Sequence, residues 1–164
     1  MNLTKGAATA AGALLVLTML PQPARAGREH NRRPNTYAQQ VVEEILARHP
    51  DLKSVELALV SGKACVTVAA TALEDVGEAC DADEKQPMRT GKPHVEEPTR
   101  KDPVYDITQA VHDGPGALIG AVGMDIAPAG RSREAVLSQA GEILRELENM
   151  ISSKEQLLSP APAK

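Results

Sequence analysis

The chain contains few side chains whose types and spacing could support catalysis. Its histidines are His30, His49, His94 and His112. No nucleophile elbow, P-loop, His-Glu-x-x-His sequence or dinucleotide-binding glycine motif occurs. We expect solvated roles for His30 and His49, while His94 and His112 lack the spacing of metal ligands. The sequence therefore predicts a protein that is not an enzyme and that has no metal site and no cofactor.

The acidic run Cys80-Asp81-Ala82-Asp83-Glu84 has two interpretations. It could attract a cation, but it lacks the alternating oxygen ligands and the glycine of a calcium loop. Asp81, with Glu84 three residues later, matches a helix capping box. The pattern favours helix capping over cation binding.

Two cysteines, Cys65 and Cys80, are the only ones in the chain. A disulfide between them would close a short loop and stabilise the fold by roughly 3 kcal/mol. Two buried thiols, or one reactive thiol, are the alternatives that the sequence leaves open. The spacing excludes a Cys-x-x-Cys redox motif and covalent haem attachment.

The N-terminal segment is typical of a secretory signal peptide. Lys5 precedes the apolar run Ala10–Leu20, and Ala24-Arg25-Ala26 supplies a small-x-small cleavage site. The run is about half the roughly 20 residues that a membrane span requires. We therefore expect cleavage after Ala26, a periplasmic or secreted protein, and no stable membrane insertion of the cleaved product.

Composition excludes further classes of partner. Removal of residues 1–26 takes away Lys5 and Arg25 and no acid, which shifts the net charge from −4 to −6. An acidic chain without a Lys/Arg cluster is a poor candidate for nucleic-acid binding. Tyr37 and Tyr105 are the only aromatic residues, so an aromatic cage or a base-stacking platform cannot be built.

Hydrophobic periodicity predicts an α+β domain over residues 36–151, preceded by a flexible arm at 27–35 and followed by a disordered tail at 152–164. The predicted architecture is a single antiparallel sheet of about five strands, flanked by N-terminal and C-terminal helices. The predicted helices are residues 36–49, 81–90 and 132–151, and the predicted strands are residues 54–60, 63–70, 94–97, 104–112 and 117–126.

Three segments resemble the PAS-like (profilin-like) fold of extracytoplasmic sensor domains of the Cache or PDC type. The first runs from Ala69 through Glu74-Asp75-Val76-Gly77-Glu78, and the second is Met88-Arg89-Thr90-Gly91-Lys92-Pro93. The third joins Tyr105-Asp106-Ile107-Thr108 to Ile119–Asp125 through the turn Asp113-Gly114-Pro115-Gly116. The chain has no second hydrophobic segment, so it resembles a free-standing exported relative of these receptors.

The resemblance implies a small-molecule ligand between the sheet and the helical segment above it. Arg89 would bind a carboxylate, Thr90, Tyr105 and Asp106 would orient it, and Met88 would form an apolar wall. Solvation of Arg89 and a core position for Tyr105 are the alternatives. Asp125 is either a structural hydrogen-bond anchor or a polar group of the pocket.

The apolar stripe of the last helix also has two interpretations. Apolar residues keep three-four spacing, which suits either core packing or a dimer seam: Val136, Ala140, Ile143, Leu147 and Met150. The favoured function is an exported, non-enzymatic, small-molecule sensing or binding domain in signal transduction. The alternative is a periplasmic interaction module that forms a homodimer, or docks on a membrane receptor, through this helix.

Overall fold

The computed structural model describes residues 33–162 of the 164-residue chain. The predicted signal peptide and most of the predicted arm lie outside these residues. Within the described part there are four α-helices and five strands. The helices are α1 (Tyr37–Arg48), α2 (Ala82–Thr90), α3 (Arg133–Asn149) and α4 (Lys154–Leu158); the strands are β1 (Leu52–Ser61), β2 (Ala64–Ala70), β3 (His94–Glu96), β4 (Tyr105–His112) and β5 (Leu118–Ile126).

The strands form one antiparallel sheet in the order β2-β1-β5-β4-β3. Two hairpins, β1–β2 and β4–β5, are joined because β1 pairs with β5 in the centre of the sheet. The short strand β3 forms one edge, as the sequence predicted. The α+β class with a single five-stranded antiparallel sheet is therefore confirmed.

One face of the sheet carries the hydrophobic core. Because side chains alternate along a strand, the register places Leu57, Val122 and Met124 on this face, and all three are buried. Helices α1 and α3 pack over it and contribute Ile45 and Ile143, both fully buried. The core contains aliphatic side chains and Tyr105, as the near absence of aromatic residues requires.

Helix α3 uses its apolar stripe within the protein's own core. Ser132 caps the helix by accepting a hydrogen bond from the Ala135 backbone N–H. Met150 at the end of the stripe is partly buried against the core, and the other four stripe residues are fully buried in it: Val136, Ala140, Ile143 and Leu147. Core packing is thus the observed role of these four positions. Their side chains are not exposed for the dimer seam that was the alternative.

Helix α2 lies over the other face of the sheet. Its N-terminus has the predicted capping box, in which Asp81 accepts from the backbone of Asp83 and Glu84 while the Glu84 carboxylate accepts from the Asp81 N–H. The helix ends at Gly91, whose positive φ of 66° forms the left-handed cap. These two local signals fix where α2 begins and ends above the sheet.

The C-terminal tail is ordered, which corrects the expectation of a disordered segment for residues 152–162. Ser153 caps the short helix α4 by accepting from the Gln156 N–H, and Leu157 is fully buried. Beyond α4 the chain hydrogen-bonds to the start of α1, where the Tyr37 N–H donates to the Ser159 carbonyl at 2.9 Å. Burial of Leu157 and these backbone bonds compensate the entropy lost on ordering the tail.

None of the helices within residues 33–162 is long and apolar enough to cross a membrane.

Candidate functional site

A cavity of about 270 Å³ lies between the sheet and α2. Its floor is formed by residues of four strands, β1, β2, β4 and β5, on the sheet face away from the core, and its walls come from the β2–α2 connection and from α2. The lining residues are Glu56, Thr67, Asp75, Glu78, Ala79, Asp81, Asp83, Glu84, Asp106, Thr108 and Gly123. The volume is slightly below the roughly 300 Å³ at which the usual range of ligand sites begins, so only a small ligand would fit.

The cavity is strongly acidic. Seven of its eleven described lining residues are Asp or Glu, and none is Lys, Arg or His. Lys85 is the nearest basic residue along α2, but its ammonium donates to the Cys80 carbonyl. The lining therefore leaves a concentration of negative charge that the described lining residues do not neutralise.

The pKa values of two carboxyl groups in the cavity, those of Glu56 and Asp106, are raised. Burial raises the pKa of Glu56, and the nearby carboxylates of Glu84 and Asp75 raise it further, although Thr67 donates a hydrogen bond that opposes the shift. Burial followed by the charges of Asp125 and Glu96 raises the pKa of Asp106 to about 6. Both shifts have the signature of acids that are partly desolvated beside other acids.

Asp125 belongs to the same sheet face but has a structural partner. It lies directly opposite Asp106 in the β4–β5 register, and its Oδ2 accepts a hydrogen bond from Ser54 Oγ at 2.5 Å. Two carboxylates directly opposite each other repel, and the Ser54 hydroxyl partly compensates the charge. Asp125 is not among the residues that line the cavity, so the anchor interpretation fits it better than the pocket one.

A disulfide holds the cavity wall against the sheet. Cys65 on β2 is bonded to Cys80, the residue before the N-cap of α2, with a Cα–Cα distance of 5.3 Å. The Cys80 N–H also donates to the Cys65 carbonyl at 3.0 Å. The predicted bridge is confirmed, and it fixes the acidic N-terminal turn of α2 beside β2.

The structure separates the ligand-binding residues that the sequence suggested. Asp106 lines the cavity, whereas Tyr105 points to the opposite face and packs in the core. Met88 is half-buried, and Arg89 and Thr90 are exposed near the end of α2. The cavity lining includes none of these three residues, and Thr90 Oγ1 donates to the Gln86 carbonyl within the helix.

Most of the acids in the cavity were missed because no local motif links them. Glu56 appeared in the sequence as the polar side of an alternating strand, and Asp75 and Glu78 as parts of a loop. Only the β1–β5 and β4–β5 pairings bring Glu56 and Asp106 to one face. A usable signal was present, since both acids occupy outward positions of strands that otherwise alternate with buried apolar residues.

One side-chain cluster adjoining the cavity has the composition of a metal centre. Asp83, His94 and Glu96 each offer a ligand atom, and these atoms lie within 4.8 Å of one another. Asp83 belongs to α2, whereas His94 and Glu96 are two residues apart on β3 and so share its outward face. The tertiary fold, rather than any sequence spacing, brings these three donors together.

Two other depressions have less to offer a ligand. One lies between residues 33–36 and 161–162, and the other is lined by Gln40, Glu43, Glu44 and Ala47 of α1 alone. Glu43 and Glu44 are paired there with Arg33 and Arg48. The acidic cavity differs because its described lining contains no Lys or Arg and because it draws on several elements.

No protein-family model matches the chain, and no curated protein matches its sequence. Solved structures that share its fold include two sensor domains. A putative GAF sensor protein from Burkholderia vietnamiensis superposes with a TM-score of 0.51 at 15% identity, covering 70% of this chain and 74% of that one. The GAF domain of a two-component sensor histidine kinase from Bacillus halodurans gives 0.52 at 8% identity, covering 71% and 94%.

The fold is therefore GAF/PAS-like. This is the coarser part of the resemblance that the sequence analysis noted, and neither of these two structures is described as a Cache or PDC domain. At such low identity the similarity extends to the fold and not to any ligand or residue role.

Proposed function

We propose that the protein is a non-enzymatic small-molecule sensing or binding domain whose ligand is a small organic cation, such as an amine or a guanidine. The observation that carries this proposal is the acidic cavity between the sheet and α2, with seven carboxyl-bearing residues and no basic one. Its position between sheet and helix agrees with the ligand position expected for the fold.

The charge of the cavity favours a cation over the carboxylate that the sequence analysis suggested. An anion placed among Glu56, Asp81 and Asp106 would meet several negative charges in a partly desolvated space, where Coulomb repulsion is strongest. An ammonium group would instead gain charge-assisted hydrogen bonds. It would also relieve the repulsion that raises the pKa of Asp106.

The floor of the cavity combines polar groups with open space. Thr67 and Thr108 supply hydroxyl groups on the floor, and Gly123 leaves room above β5. A Cβ added at Gly123 would make only ordinary contacts, at 3.9 Å from the Glu56 Cβ, so the floor there is open rather than crowded. A linear amine of a few carbons could lie across this floor with its charge beside Glu56.

A thermal-shift panel tests the proposal. Alkylamines, diamines and guanidines are compared with carboxylates of matched length, all in EDTA so that metal ions play no part. We expect cations to raise the melting temperature by binding the folded state, and anions to leave it unchanged. Stabilisation by the anions alone would overturn the proposal.

Substitutions of cavity acids test whether a stabilising cation binds in the cavity. Glu56→Gln or Asp106→Asn should weaken binding about tenfold or more, because each removes a charged hydrogen-bond partner. Glu142→Gln, on the exposed face of α3, is the matched control and should bind as the unaltered protein does. Equal weakening in all three variants would indicate non-specific attraction to an acidic protein.

We further propose that the domain is exported, with cleavage between Ala26 and Gly27. The basic start and apolar run of residues 1–26 support this, and the Cys65–Cys80 disulfide is suited to an oxidising compartment. N-terminal sequencing of the protein recovered from the periplasm or medium should begin at Gly27. A protein that begins at Met1 and is retained in the cell would contradict export.

A further inference from the structure

We propose that Asp83, His94 and Glu96 form a binding site for a divalent first-row transition-metal ion, of which Zn²⁺ is the best fit. The site would lie where α2 crosses the edge strand β3, beside the acidic cavity. The site shares Asp83 with the cavity lining, but the argument for a metal ion does not depend on the organic cation proposed above.

Two of the three distances between the donor atoms are close to the edge of a zinc coordination tetrahedron, and all three are within 4.8 Å. His94 Nε2 lies 3.4 Å from Asp83 Oδ1 and 3.7 Å from Glu96 Oε1. Tetrahedral ligands placed about 2.1 Å from a zinc ion are separated by about 3.4 Å. The donors are thus too far apart for good hydrogen bonds to each other, yet at the separation that a shared ion would impose.

The imidazole nitrogen that faces the two carboxylates, His94 Nε2, is buried and makes no hydrogen bond to any of the described residues, although Asp83 and Glu96 both lie at ion-pair distance from it. The other ring nitrogen, Nδ1, is 3.2 Å from Gln86 Oε1. An amide oxygen can only accept, so this contact places a proton on Nδ1. Nε2 then faces two carboxylates, and either a second proton on Nε2 or a metal ion shared by the three groups would stabilise that arrangement.

Gln86 contacts the His94 ring in the way that a hydrogen-bond partner orients a metal-binding histidine. Metal-ligating imidazoles usually donate their second N–H to an oxygen, which fixes the tautomer and the ring orientation. Gln86 and Asp83 both belong to α2, while His94 and Glu96 belong to β3. An ion at this position would therefore join the helix above the cavity to the edge of the sheet.

The donor set indicates which ions to expect. Imidazole suits Zn²⁺ and neighbouring transition ions, whereas carboxylates alone suit Mg²⁺ and Ca²⁺. One nitrogen and two carboxylate oxygens give the three protein ligands of an open zinc site, with a fourth position for water. We expect Zn²⁺ to bind, and Mg²⁺ and Ca²⁺ to bind far more weakly.

Calorimetric titration of the untagged, EDTA-treated protein with Zn²⁺ tests the site. We expect a one-to-one component that His94→Ala weakens at least tenfold and that Glu96→Gln, a change at an exposed side chain, also weakens. Gln86→Leu should weaken it roughly 10- to 100-fold by releasing the ring. His112→Ala is the matched control, because His112 contacts a single carboxylate, that of Glu148, at 3.1 Å.

Zn²⁺ should also raise the melting temperature of the unaltered protein and not that of His94→Ala, since binding to the folded state stabilises it. Circular dichroism establishes that each variant is folded, and Glu96→Gln remains a sufficient test if His94→Ala is not. Absence of one-to-one binding, or affinity unchanged in both His94→Ala and Glu96→Gln, would overturn the proposal. These outcomes are independent of the amine panel, which is measured in EDTA.

Discussion

At the residue scale, Glu56 shows how the site differs from the rest of the sheet. It lies on β1 between positions occupied by the buried Val55 and Leu57, but its side chain points to the opposite face and into the cavity. Burial and neighbouring acids raise its pKa. Ionisation of Glu56 at neutral pH therefore lowers the stability of the folded protein.

Glu56→Gln should stabilise the protein at neutral and alkaline pH. The folded state binds the Glu56 proton more tightly than the unfolded chain, whose pKa is near 4.5, so this group lowers the free energy of unfolding as pH rises through the folded pKa. Glutamine removes that loss and keeps an oxygen that can accept from Thr67. Melting temperatures measured from pH 4 to pH 8 should show a gain that vanishes at the acid end.

Glu146→Gln provides the contrast. Hydrogen bonds from Arg48 and His49 lower the pKa of Glu146, so its contribution to stability is present above its unfolded pKa and is lost as pH falls. That variant should be destabilised at neutral pH, by a small amount because the pair is solvent-screened. A gain in both variants at pH 8 would mean that net charge, rather than the local environment of Glu56, controls the effect.

Residue roles could be predicted where a local rule determines them. Asp81 and Glu84 lie three positions apart, and the capping box follows from that spacing alone. The partner of His94 could not be predicted in this way, because Asp83 reaches it only after α2 has crossed β3. Arg89 was assigned to the ligand on resemblance; it is exposed on α2 and does not line the cavity, and its role in binding stays a prediction.

At the element scale, α4 is the helix that the sequence pattern did not predict. Its five residues are too few for helical periodicity to be visible, so the tail was expected to be disordered. The cap formed by Ser153, with Gln156 three residues later, was the one local signal present. The longer elements were predictable because each has an alternating or three-four pattern that one buried face imposes.

The two adjacent leucines of α4 test whether the tail is part of the fold. Leu157 is fully buried, whereas Leu158 is 53% exposed. Leu157→Ala should lower the free energy of unfolding by about 2–5 kcal/mol, as for other buried leucines. Leu158→Ala should change it by about 0.5 kcal/mol or less. Urea denaturation measures both, and equal small effects would show that α4 contributes no core packing.

At the scale of the whole molecule, the sheet separates the hydrophobic core from the acidic cavity. Its one face is covered by α1, α3 and α4 and forms the core, while the other supports the acidic cavity under α2. Alternation along the strands predicted a sheet with two different faces. The sequence could not show that the outward acids of separate strands converge, because their convergence depends on the strand order β2-β1-β5-β4-β3.

Removal of the disulfide should affect the cavity more than the core. Cys65→Ser with Cys80→Ser should lower the free energy of unfolding by roughly 3 kcal/mol, because the unfolded chain loses its cross-link. It should also increase hydrogen exchange at the start of α2, which the bridge ties to β2, with less change in α3. Uniform exchange increases across the chain would mean that the bridge stabilises only globally.

The central claim is that the cavity under α2 binds a small organic cation, and an NMR titration with 1,4-diaminobutane in EDTA tests it most directly. Amide shifts should concentrate on residues around the cavity floor and the first turn of α2, notably Glu56, Asp83, Thr108 and Gly123. Butyrate should leave these signals unchanged, and Glu56→Gln should reduce the shifts caused by the diamine. Diamine shifts scattered over exposed acids such as Glu142, or shifts at the cavity caused by butyrate, would contradict the claim.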